Sequence, residues 1–96
     1  MSFKNLLKED QRLVILRSLN EMPAYETNES ILDTCLESYG HNITRDAVRT
    51  QLAWLQEQDL VTIREMSDCQ IAKLTGRGQD VATGQADQPG VKKPRA

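Results

Sequence analysis

Residues 43–61 read "ITRDAVRTQLAWLQEQDLV", and the fold turns on how this stretch is interpreted. Thr44 has the side chain of a helix N-cap. Asp46 follows in the first turn, where a carboxylate meets the positive end of the helix dipole. At about 100° per residue, Val48, Leu52 and Leu55 fall on one face and form the core side. Arg45, Arg49 and Gln56 line one flank, and Ala47, Gln51, Trp54 and Gln58 line the other. Asp46, Thr50, Ala53 and Glu57 point away from the core. The two arginines one turn apart admit two readings, a helix that reads DNA or an ordinary solvated flank of a packing helix.

Working outward, the period changes after Leu60 from that of a helix to that of a strand. "VTIREM" alternates Val61 and Ile63 with Thr62 and Arg64, Ser67-Asp68 is a turn signal, and "CQIAKLT" returns, which predicts a β-hairpin. Thr75 caps a short last helix, weakened by two glycines. Upstream, Asn28 caps "ESILDTCLESYG", with Ile31, Leu32, Cys35, Leu36 and Tyr39 as its apolar face and Gly40 as a left-handed C-cap. "PAYETN" leaves room for an extended piece of two or three residues. "NLLKEDQRLVILRSLNEMP" is a first helix closed by Pro23; either Leu6 and Leu7 extend it backward or Asp10 caps a separate start.

The order is helix, short extended piece, helix, tight turn, helix, hairpin. Two helices joined by a short turn containing Gly are the helix-turn-helix signal, and a hairpin behind the second makes it winged. The expected fold is therefore mainly α with a small antiparallel β-hairpin, a three-helix core plus wing. The domain spans residues 1–83. Residues 84–96, "GQADQPGVKKPRA", are too poor in apolar side chains to offset their ordering entropy and are expected to be a disordered basic tail.

Composition limits the function. At 96 residues there is room for one core, and with 39% hydrophobic but only 4% aromatic residues it is built from Leu, Ile, Val and Ala. No apolar run is long enough for a membrane span, and "MSFK" leads into charged residues rather than a signal sequence, so a cytoplasmic protein with free Cys35 and Cys69 is expected. The net charge is −2, unevenly spread. Residues 1–42 carry four basic and seven acidic side chains, residues 43–77 five of each, and residues 84–96 three basic and one acidic. Without an overall basic excess, DNA binding would have to come from a local patch. His41 is the only histidine and lacks a ligand partner at metal spacing. "TGRGQ" has neither the spacing nor the context of a phosphate loop. No enzyme, metal or cofactor is expected.

"TRDAVRTQLAWLQEQDLVTI" followed by "IAKLTGRGQDVATG" resembles the winged helix-turn-helix domains of bacterial regulators, through Leu52, Leu55, Leu60, Val61, Leu74, Thr75 and Gly78. The whole chain, with "YETNESIL" and the "PGVKKP" tail, resembles small Mu-like phage and prophage proteins commonly labelled ArsR-like regulators. The resemblance implies that Thr44, Arg45, Asp46, Arg49 and Thr50 face the major groove of double-stranded DNA, with Arg64, Lys73 and Arg77 of the wing region on the backbone. It departs from ArsR-type metal sensors, whose cysteines are grouped on a helix. A phage transcriptional regulator acting as a homodimer, with Phe3, Leu6 and Leu7 as the dimer element, is the first expectation. The alternative is a winged-helix module for a phage or host protein partner in assembly or DNA packaging. A continuous positive strip from Arg45 and Arg49 to Arg64 and Lys73 would favour DNA; a broken strip would favour a protein.

Overall fold

A computed structural model describes residues 2–94. These residues form four α-helices and one three-stranded antiparallel sheet. Helix α1 (Phe3–Asn20) is followed by a single 3-10 turn (Pro23–Tyr25), strand β1 (Glu26–Asn28), α2 (Glu29–Ser38), α3 (Arg45–Glu57), β2 (Val61–Met66), β3 (Cys69–Leu74) and α4 (Gly76–Ala82). The sheet order is β1-β3-β2, so the short piece before α2 pairs with the far strand of the hairpin. Glu26 lies opposite Lys73 and Asn28 opposite Ile71.

The caps explain where the helices begin. Ser2, Asn28, Thr44 and Thr75 each accept a hydrogen bond from the backbone N–H three residues on, at 2.9–3.1 Å. Of the two starts open for the first helix, the structure has one continuous helix capped at Ser2. Gly40 takes the left-handed conformation at φ 85°, ending α2. Ser67 and Asp68 both have positive φ, the two-residue turn that suits the twist of a hairpin. The core is aliphatic: Ile15, Leu16 and Leu19 of α1, Leu32 and Leu36 of α2, Val48, Leu52 and Leu55 of α3, and Val61 and Ala72 of the sheet are buried. The apolar face of α2 is narrower than its sequence suggests. Ile31 and Tyr39 are exposed and Cys35 is half-buried, while Glu29 occupies the buried row instead.

Two features go beyond the sequence reading. Gly78 lies where α4 meets the end of the α3–β2 connection, and a Cβ there would stand 2.1 Å from the Leu60 carbonyl oxygen. That contact supplies a reason for glycine at the end of the "LTGRG" stretch. The second feature corrects the expected tail. Residues 84–94 are not a free extension but fold back over α1 and α3. Val91 is buried, the Lys92 N–H donates to the Glu9 carbonyl at 3.2 Å, and the Gly90 carbonyl accepts from Arg12 at 2.9 Å. Gly90, at φ 95°, passes so close to Trp54 that a Cβ would meet its ring at 2.5 Å. Composition hides this because the segment is held by its backbone and by missing side chains as much as by apolar ones. Arg95 and Ala96, part of the expected tail, lie outside the described residues.

Two stability measurements follow. Gly78→Ala should lose ~3 kcal/mol, because a backbone oxygen cannot move aside as a side chain can. Gly76→Ala, with nothing within 4 Å of its Cβ position, should be neutral or slightly stabilising in the same urea titration. A chain ending at residue 83 should lose about 2 kcal/mol, the transfer value of burying a residue like Val91. An unchanged melting temperature would return the segment to the status of a tail.

Candidate interaction site

The exposed end of α3 begins at its cap. Thr44 Oγ1 accepts from the Ala47 N–H at 3.0 Å, and Arg45, Asp46 and Thr50 are exposed. The Thr50 hydroxyl donates to the Asp46 carbonyl at 3.1 Å, turned onto its own helix. Arg49 differs from these neighbours. Its Nε donates to Glu29 Oε2 at 2.6 Å and its Nη2 to Glu29 Oε1 at 2.8 Å, a two-pronged pair. Nη2 also donates to the Asp68 carbonyl in the hairpin turn at 2.9 Å. Glu29 is 0% exposed and additionally accepts from the Gln70 N–H at 2.9 Å. One carboxylate thus ties the start of α2, the second turn of α3 and the hairpin together. Arg45 Nη1 stands 3.8 Å from the same carboxylate. The Arg49 hydrogen bonds hold the Glu29 pKa down at about 2 despite burial, with the Gln70 N–H and the nearby charges of Arg49 and Arg45 assisting. The same pairing raises the pKa of Arg49.

On the outer face of the sheet, Arg64 Nη2 pairs with Glu26 Oε1 at 3.3 Å, and Lys73 stands in register with Glu26 and Thr62. Arg77 donates to Gln88 Oε1 at 2.9 Å, which ties α4 to the C-terminal segment rather than to the hairpin. Of the eight residues expected to contact DNA, Arg45 and Arg49 are therefore gathered around Glu29 and Arg64 is paired with Glu26, while Lys73 is exposed in register with Glu26. Along the strip from α3 to the hairpin, Glu29 neutralises its arginines from beneath, while Glu26, Asp46, Glu65 and Asp68 stand beside the cations at the surface. Glu29 escaped the sequence reading, although its signal was present: it stands three residues before Leu32 and seven before Leu36, on the row that faces the core.

On its other side, α3 faces the first half of α1 across a groove of about 430 Å³. Leu7, Ile43, Ala47 and Trp54 supply its apolar surface and Lys4 and Lys8 its α1 edge. The back of the groove is cross-linked. The Arg12 guanidinium lies 3.9 Å over the Trp54 ring and its Nε donates to Gln51 Oε1 at 2.8 Å; Gln51 Nε2 donates to Gln11 Oε1 at 2.8 Å. Burial lowers the pKa of Arg12, with Glu9 acting in the opposite direction. His41 is buried, 2.6 Å from Asp10, which Lys92 approaches at 3.5 Å. Cys35 and Cys69 carry free thiols, and among the described residues no three His, Cys, Asp or Glu side chains form a group that could hold a metal. Nor is any helix of these residues long and apolar enough to cross a membrane.

The Glu29 cluster predicts both a mutant effect and a pH effect. Arg49→Ala strands a buried carboxylate and should lower the melting temperature by on the order of 10 °C, whereas Arg45→Ala should move it by no more than ~2 °C. Because the folded pKa of Glu29 lies below its ordinary 4.5, its contribution is fully present above that pH and fades as pH falls toward about 2. Glu29→Gln should remove this part of the acid profile in unfolding titrations. An acid profile identical to wild type would show that the pair does not couple to folding.

No family model matches the chain. Over 91 residues it is 55% identical to "Uncharacterized protein gp26" of Escherichia phage Mu, covering 95% of this chain and 94% of that protein. An uncharacterized protein of Haemophilus influenzae is 53% identical over 78 residues, covering 80% of this chain and 76% of its own length. With one match that runs nearly end to end at 55% identity, the chain belongs to the family of the phage Mu protein gp26.

Proposed function

We propose that this gp26-family domain is a winged helix-turn-helix that works by holding a protein partner. The winged-helix reading is supported by the run of α2, a turn through Gly40, α3 and a hairpin, with the first turns of α3 exposed. The observation that carries the choice of partner is the fate of the cations. Arg49 is neutralised from beneath by the buried Glu29 and Arg64 is paired with Glu26, so the strip that would follow a phosphate backbone carries little net positive charge. The net charge of −2 adds no long-range attraction to DNA. A role in phage assembly or DNA packaging fits a family that includes a phage Mu protein.

A second reading, a dimeric regulator that binds specific double-stranded DNA, is favoured by one observation. Thr44, Arg45, Asp46 and Thr50 project from the N-terminal turns of the second helix of the motif, where base contacts are made in helix-turn-helix proteins. In that case Arg49 would position the helix rather than touch a base, and the ArsR-like label would describe the fold without a metal switch.

Binding to the DNA flanking its own gene and to random duplexes, over a salt series, separates the two. On the first reading both bind weakly and alike, and co-production with the products of neighbouring genes yields a stoichiometric complex on gel filtration. Tight, sequence-selective binding would overturn it, especially if Arg45→Ala flattened the log–log salt slope by roughly 0.9 per lost phosphate contact.

A further inference from the structure

We infer that the groove between α1 and α3 is the docking site for an acidic amphipathic helix of the partner; this rests on the protein-binding reading above. Its floor is apolar, from Leu7, Ile43, Ala47 and Trp54, and 430 Å³ accommodates a few side chains rather than a nucleic-acid backbone. The α1 edge is cationic in a chain that is acidic overall. Lys4, Lys8 and Arg12 line the groove against a single lining acid among the described residues, Asp46. An apolar floor with ammonium groups along one edge complements a helix with aliphatic anchors at i, i+3, i+4 and i+7 and carboxylates along the flank that meets α1.

The site is also preformed. Arg12 holds the Trp54 ring and Gln51 while Gly90 backs the ring from the C-terminal segment, so little ordering remains for binding. The apolar surface continues past the groove along α1, where Leu6 is 47% and Phe3 75% exposed, giving a helix-length track. A second copy of α1 fits this track poorly. In parallel register it would bring its own Lys4 and Lys8 against the same two lysines.

Trp54 is the only tryptophan and sits in the groove, so its emission reports occupancy directly. Two synthetic peptides about 18 residues long, roughly five helical turns, serve as probes. One carries Leu at the anchor positions with Glu and Gln elsewhere; the other has Lys in place of every Glu. The Glu peptide should shift Trp54 emission saturably and the Lys peptide should not. Lys4→Glu with Lys8→Glu, and separately Ala47→Glu, should weaken the Glu peptide by about tenfold or more with unchanged circular dichroism, and the lysine-reversed variant should gain affinity for the Lys peptide. Equal response to both peptides, or unchanged affinity in the variants, overturns the site. So does an emission shift that follows protein concentration with doubling of mass, which would make a second copy the occupant, or displacement of the peptide by random duplex DNA. A gene-neighbour partner still bound by Ala47→Glu overturns the groove alone. Sequence-specific DNA binding with peptide binding intact overturns the functional reading and leaves the groove standing.

Discussion

A carboxylate without solvent contact organises this domain. Glu29 opens α2, where the helix dipole already favours a negative charge, and it accepts from Arg49 twice and from the Gln70 N–H once. An isolated carboxylate at that depth would be too costly to keep ionised, so its partners cannot drift without a large penalty. The relative placement of α2, α3 and the hairpin is thereby set by polar contacts, while the aliphatic core beneath supplies the non-directional part of the stability. The same geometry reaches the hairpin turn, because the guanidinium that serves Glu29 also caps the Asp68 carbonyl.

This arrangement has a functional consequence. An arginine on the exposed end of a second helix would ordinarily be read as a contact for a ligand, yet Arg49 is committed within the molecule on two sides. Arg64 on the sheet is likewise paired, with Glu26, so this side of the domain carries little net positive charge. Net cationic character survives on the other flank, where Lys4 and Lys8 edge an apolar groove. Helix α3 therefore presents two different surfaces, one of internally paired charges and one apolar and edged by lysines of α1.

The C-terminal segment belongs to the same logic. Arg12 sits between the Trp54 ring, the Gln51 amide and the Gly90 carbonyl, so α1, α3 and residues 84–94 are joined through one guanidinium. Gly90 is required there twice, by its positive φ and by the closeness of the indole. The segment thus stiffens the back of the groove that α1 and α3 open toward solvent.

Much of the fold was legible in the sequence because its signals are local. Thr44 and Asn28 cap their helices, Gly40 ends one in the left-handed region, and the change of period at Leu60 marks the strand, since backbone preferences act over a few residues. The row of Val48, Leu52 and Leu55 likewise followed from helical spacing alone. What only the tertiary structure decided depends on partners distant in sequence. Glu29 meets Arg49 across 20 residues and Gln70 across 41, and Arg12 meets Gly90 across 78, distances over which no periodicity carries information. For that reason the sequence could place two arginines on one flank of a helix, while only packing could determine that one of them faces inward to a buried carboxylate.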